Sequence, residues 1–231
     1  MVGKPIKVPG IKFLALIIVL STCAMRCEDQ KIPQFEEFVF VIPVKIIPSD
    51  SIVHLNDTIW FIADFPDTLF DLNLGKYFKI QKPSLVASLI TRRLIGRGIN
   101  YSQQPGAIEN FDFINKIGGT SNLSQTFATL TLLWSEGHYQ CEFGIKPKQT
   151  GVFAINILNP EKFDLSGIKL GYTSDGRERI PVYRNIYFII NDGSTNFELF
   201  AKHCKAASLE YPTEQNIYYE QKGIFTFRVV R

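Results

Sequence analysis

Tyr139, Cys141, Phe143 and Ile145 alternate with His138, Gln140, Glu142 and Gly144, the period-two pattern of a strand with one buried face. After "KPKQTG", Phe153, Ile155 and Ile157 take up the same rhythm, so Tyr139–Ile145 and Val152–Leu158 read as a hairpin. "FVFVIPVKI" (Phe38–Ile46) is rich in β-branched and aromatic residues, and its Pro43 points to an edge strand or a bulge. Thr58–Phe65, Phe127–Trp134 and Val182–Ile190 predict further strands. Gly223–Val230 predicts another, with Phe225, Phe227 and Val229 on one side. "SLVASLITRRLI" fits either period, and its β-branched content favours a strand. One helix is predicted: Thr195 and Glu198 form a T-x-x-E capping box, followed by Phe197, Phe200, Ala201 and Cys204 on one face. At least six strands and one helix in the C-terminal region predict a mainly β chain, an antiparallel β-sandwich with helical decoration.

The N-terminal pattern is of another kind. Lys4, Lys7 and Lys12 precede the apolar run Phe13–Leu20 and the small residues after it, the layout of a secretory leader. The run is too short to span a bilayer, which takes about 20 apolar residues. Leu20-Ser21-Thr22-Cys23 resembles the lipobox of bacterial lipoproteins, with Thr22 where Gly, Ala or Ser is usual. That resemblance implies acylation of Cys23 as the first mature residue; cleavage near Ala24 without lipid is the alternative. Cys27 also competes as the end of the leader, although Arg26 suits that cleavage poorly. The expected organisation is a signal peptide over 1–22, an anchor tether over 23–34 and one β-sandwich domain over 35–231. The expected location is the outer membrane or cell envelope, held by the lipid bilayer, or else the periplasm or exterior as a soluble protein.

Charge changes the picture once the leader is set aside. The chain carries +3 with a pI of 8.6, but three of its 25 basic residues are leader lysines, leaving 22 against 22 acidic ones. A balanced chain without a basic run gives no electrostatic case for a nucleic-acid partner. Cys23 and Cys27 lack a second Cys or His pair at zinc spacing. Cys141 and Cys204 form either a disulfide, which export permits, or two buried free thiols.

Gly137, Tyr139 and Cys141 in "SEGHYQC" resemble the tyrosine corner of immunoglobulin-like sandwiches, with Ser135 where Asp is usual and no core cysteine upstream. "LNDTIWFIADFPDTLFDLNLGKYF", "QPGAIENFDFINKIG", "CEFGIKPKQTGVFAINIL" and "KGIFTFRV" resemble segments of uncharacterised Bacteroidota lipoproteins. Membership of that group would imply no particular activity. It would make "DSI", "DTI" and "DTL" O-glycosylation sequences, with Ser51, Thr58 and Thr68 as acceptors; ordinary turn chemistry accounts for the same residues.

Signatures of chemistry are sparse. The chain has no G-x-S-x-G, H-E-x-x-H, G-x-x-x-x-G-K-[ST] or G-x-G-x-x-G, and neither a catalytic residue nor a cofactor is assigned. His54, His138 and His203 lack ligand spacing. Asp64, Asp67 and Asp71 offer oxygen ligands for calcium outside an EF-hand pattern, or serve as turn residues. Glu36 with Glu37, Asp64 with Asp67, and Glu136 with Glu142 are nominal carboxylate pairs for glycoside hydrolysis. Aromatics make up 13% of the chain, and phenylalanine dominates with 19 residues, which points to core filling. Trp60, Trp134, Tyr218 and Tyr219 are the candidates for stacking a sugar or another partner, with core packing the alternative for the two tryptophans. The reading these features support is an envelope interaction or structural module with an unknown protein or glycan partner; the alternatives are a glycan hydrolase and a small-ligand or calcium-binding protein.

Overall fold

The computed structural model describes residues 31–80, 84–158, 165 and 167–231. Its strands are β1 (Gln34–Ile47), β2 (Ile52–His54), β3 (Ile59–Pro66), β4 (Thr68–Asp71), β5 (Lys76–Lys79), β6 (Ser84–Arg93), β7 (Phe111–Ile117), β8 (Gly119–Ser121), β9 (Phe127–Ser135), β10 (His138–Pro147), β11 (Gly151–Leu158), β12 (Arg179–Ile190) and β13 (Ile224–Val230). They run as one curled sheet in the order β2-β13-β11-β6-β9-β10-β3-β1-β4-β5, with β12 on β1, β7 on β10 and β8 on β9. Neighbouring strands along this order are antiparallel except β13 and β2, which are parallel; β7 with β10 and β8 with β9 are antiparallel. Besides three 3-10 turns (Tyr101–Gln103, Ile108–Asn110 and Asn191–Gly193), the described helical part is three short helices, α1 (Phe197–His203), α2 (Ala207–Glu210) and α3 (Glu214–Asn216), followed by a five-residue π-helix, Ile217–Gln221. No helix among the described residues is long and apolar enough to cross a membrane.

The sheet curls until its inner face closes on itself. Val44 of β1, Phe61 of β3, Leu132 of β9, Cys141 of β10, Ile157 of β11 and Phe188 of β12 surround one apolar space of only about 10 Å³. Six strands thus share one interior, the packing of a β-sandwich. Phe61 and Phe143 stack there with centroids 4.8 Å apart. Each large side chain taken out of water in this way stabilises the fold by about 1.5–3 kcal/mol.

β11 carries a second core. Phe153, Ile155 and Ile157 face the sandwich interior. On its other side Val152 and Ala154 join Leu94, Tyr101, Phe200, Cys204 and Ile224 in a cluster roofed by α1 and the π-helix. Burial on both faces explains why "VFAINIL" is nearly continuous in apolar residues, as strands covered on both sides are. Pro43 sits where β1 changes partners: Phe40 and Val41 pair with β4, while Lys45–Ile47 pair with β3.

Three expectations are corrected. β10 and β11 do not form a hairpin: β10 pairs with β3, β7 and β9, whereas β11 lies between β6 and β13. The link between them carries the chain across the sheet, because alternation fixes which face is buried and leaves the neighbour open. Thr195 does not cap α1. The cap position belongs to Asn196 in the left-handed region (φ 60°), and the Thr195 hydroxyl donates instead to the Gln221 carbonyl. Tyr139 is fully buried and stacked on Phe65, but its hydroxyl donates to Ile80 O at 3.5 Å, 59 residues upstream. An immunoglobulin corner reaches back only a few residues.

Contacts divide the chain into two units. One comprises residues 36–168 with 181–231 and holds the sandwich; the other joins residues up to 35 with 169–180. In the latter Gln34 N–H donates to Glu178 O (2.8 Å), and Lys31 bonds the Asp175 carbonyl.

Candidate functional site

Two places in the sandwich unit gather chemistry-bearing residues. The first is the outer face of β7, β10 and β3. Gly144 of β10 is flanked by Ile114 of β7 and Trp60 of β3, and Glu142 by Ile117 and Ile62. Leu133 of β9 stands beside Gln140. Trp60 lies across Gly144, where a Cβ would stand 3.1 Å from two of its ring carbons. Lys116 Nζ sits 3.7 Å from the Trp60 ring centroid and 2.5 Å from Glu142 Oε1, a cation–π contact held by an ion pair. Ile114, Ile117 and Leu133 are exposed. Trp134 also reaches solvent, but it pairs with buried Tyr139 and therefore leaves the sheet on the other side.

The second place is a cavity of about 280 Å³ between the outer side of β12, the end of β11 and the π-helix. Tyr218 and Tyr219 line it together with Tyr187, Asn156, Asn185 and Gln215. Tyr187 and Tyr218 are stacked at 5.2 Å, and Lys222 Nζ lies 4.2 Å from the Tyr218 ring. Tyr219 turns towards the helical cluster, where burial and then the Glu220 carboxylate raise its hydroxyl pKa. Asn156 is only 1% exposed, and its Oδ1 has no hydrogen-bond partner. Such an orphaned acceptor costs about 1–3 kcal/mol. A second depression of about 370 Å³ shares Asn185, Tyr187 and Gln215 and adds Asn73, Thr213 and the charged Arg184 and Glu214.

The π-helix that carries the two tyrosines is tied down at its C-terminal end. Glu220 is buried and accepts from the Ala207 and Ser208 N–H groups at 3.1 and 2.7 Å, capping α2. Gly223 has no room for a Cβ, which would meet Tyr219 O at 2.7 Å and Tyr218 O at 3.0 Å. Asn156, Tyr187 and Glu220 were not singled out from sequence. The legible signal was Asn156, a lone amide inside an apolar strand run.

The other predicted residues go separate ways. Asp64 faces His138 Nδ1 (3.0 Å) and Gln140 Nε2 (3.3 Å). Asp67 is buried beside Lys79 (3.4 Å) and accepts from Trp134 Nε1 (3.4 Å). Asp71, fully buried, accepts from Val39 N–H (2.6 Å) and Leu74 N–H (2.7 Å). The three carboxylates serve three networks rather than one calcium site. Glu37 pairs with Arg184, and Glu142 with Lys116; Glu136 occupies the left-handed turn before β10 (φ 50°). His54 lies 3.6 Å from Asp57, and His203 3.4 Å from Arg228. An open groove of about 800 Å³ along β1 is lined by Lys45, Asp50, Asp64 and Asp192, among others.

The Cys141–Cys204 disulfide is not formed. Cys141 is a free thiol in the sandwich interior, and Cys204 is a free thiol in the helical cluster, donating to Ile99 O at 3.3 Å. The two lie in the cores on opposite faces of the sheet. Burial pushes both thiols up to about 11. Of the glycosylation candidates, Ser51 is exposed and Thr58 and Thr68 are half-buried at strand starts. Cys23, with Cys27 and the leader, lies outside the described residues.

No family model and no curated protein matches the chain. Among solved structures it is similar to the type II cohesin dyad from the adaptor ScaA scaffoldin of Acetivibrio cellulolyticus. That match has 7% identity and a TM-score of 0.29, covering 64% of this chain and 46% of the dyad. It is also similar to the human F-spondin reeler domain, with 14% identity and a TM-score of 0.24, covering 60% of this chain and 88% of that one. Likeness this shallow transfers no activity or partner.

Proposed function

We propose that this protein is a lipid-anchored module of the cell envelope with an interaction or structural role and no catalysis of its own. The observation that carries the interaction role is the uncovered face of β7, β10 and β3, where Trp60, Ile62, Ile114, Ile117 and Leu133 form an apolar surface edged by charged and polar groups. An apolar centre with a polar rim is the anatomy of a protein-docking surface. The anchor rests on the leader pattern and Cys23. A glycan hydrolase has less support, because Glu37, Asp64, Asp67 and Glu142 each answer to their own partner.

Two measurements test the two halves. Mass spectrometry of the mature N-terminus from a membrane fraction should find an acylated Cys23, lost in Cys23→Ala together with membrane association; an unmodified N-terminus near Ala24 overturns the anchor. Photo-crosslinking from position 114 should capture one defined envelope protein, and Trp60→Ala should abolish that capture. Crosslinking that is absent, or indifferent to Trp60, overturns the docking face.

A further inference from the structure

We propose that the cavity beside the π-helix binds a neutral saccharide, one ring filling the space beside Asn156 and a second lying in the adjoining depression. This site is distinct from the docking face, and either can fail without the other. Three features carry the inference. First, the walls are built of carboxamides and phenols: Asn156, Asn185 and Gln215 with Tyr187, Tyr218 and Tyr219. Among the described residues that line this cavity none is charged; Lys222 lies against the outside of the Tyr218 ring, and Arg184, at the adjoining depression, is already paired with Glu37. A neutral polyol, with hydroxyls for the amides and C–H faces for the rings, matches this lining.

Second, Asn156 is almost wholly buried with an unpaired Oδ1. A strand position flanked by Ile155 and Ile157 is an expensive place for an unsatisfied amide. A hydroxyl-bearing ligand in the cavity would give that oxygen the donor the protein withholds.

Third, the walls are fixed beforehand. π-Helical turns are rare and concentrate at functional sites. Here Glu220 and Gly223 hold the turn in place, so the two tyrosines need little ordering when a ligand arrives. The cavity, about 280 Å³, is small, near the lower limit for ligand pockets, and admits one ring. The second depression meets it at Asn185, Tyr187 and Gln215 and offers Asn73 and Thr213 to a second ring.

The test is saturation-transfer NMR of the purified mature chain with cellobiose, maltose and N,N′-diacetylchitobiose, and with tetraglycine as a neutral amide control. At least one disaccharide should receive saturation and tetraglycine none. Gln215→Ala, an exposed position, and Asn156→Leu, which keeps the branching and the number of side-chain heavy atoms, should each weaken binding at least tenfold while thermal unfolding shows both variants folded. Trp60→Ala should leave binding unchanged. Silence from all three disaccharides, binding indifferent to Asn156 and Gln215, or binding of tetraglycine alone would overturn the proposal.

Discussion

The indole of Trp60 lies against Gly144 on the neighbouring strand, with no Cβ between them. Adding a methyl group there would bring it to 2.7 Å from Thr58 Cγ2 and 3.1 Å from the ring. Gly144→Ala should therefore cost about 1–3 kcal/mol, the usual penalty for overpacking, and should displace the indole from Lys116. Urea unfolding measures the first effect and tryptophan fluorescence the second. An unchanged spectrum would show that the indole's place does not depend on the glycine.

Asn156 predicts the opposite sign. Its Oδ1 is buried without a partner, so Asn156→Leu should stabilise the unliganded protein by about 1–3 kcal/mol. The substitution that weakens saccharide binding should thus raise the melting temperature. A lower melting temperature would mean that the amide is satisfied in solution.

Glu220 holds α2 to the π-helix through two backbone N–H groups. Glu220→Ala leaves both donors unpaired beneath the helical cluster and should destabilise by about 2–5 kcal/mol, since hydrogen bonds to a charged acceptor are the stronger kind. Glu220→Gln keeps the shape and one acceptor oxygen, and should recover part of the loss. Equal losses in the two variants would show that the carboxylate charge, rather than its shape, is what α2 requires.

Strand positions were legible because they are local. Tyr139, Cys141 and Phe143 alternate with polar residues and are buried as that alternation requires. The neighbour of each strand was not legible, and β10 with β11 shows why: the same rhythm serves a hairpin or a crossing of the sheet. Thr195 with Glu198 has the right spacing for a cap, yet its hydroxyl is taken by Gln221, 26 residues away. Asp64, Asp67 and Asp71 are neighbours in sequence, but Asp64 faces solvent while Asp67 and Asp71 turn inward. Tyr218 and Tyr219 were legible as candidates for binding. Their cavity was not, because it is set by Tyr187 of β12 and Asn156 of β11, residues that only the tertiary fold brings beside the π-helix.

The two free thiols make a prediction about alkaline stability. Burial raises both Cys141 and Cys204 from an ordinary 9.0 to about 11. Between those values the unfolded chain releases protons that the folded chain keeps, so stability falls as pH rises. This contribution is intact below pH 9 and is lost as pH climbs through about 11. The buried hydroxyls of Tyr101 and Tyr219 shift in the same direction, so the thiol share is isolated by comparison with Cys141→Ala. Urea midpoints of that variant should fall less steeply from pH 8.5 to pH 10.5 than those of the wild type. At pH 8 neither thiol should react with a thiol reagent until the chain is unfolded, because the thiolate is the reactive form and both groups are covered. Peptide mapping after mild oxidation should find no 141–204 cross-link; its appearance would show that the chain departs from this packing.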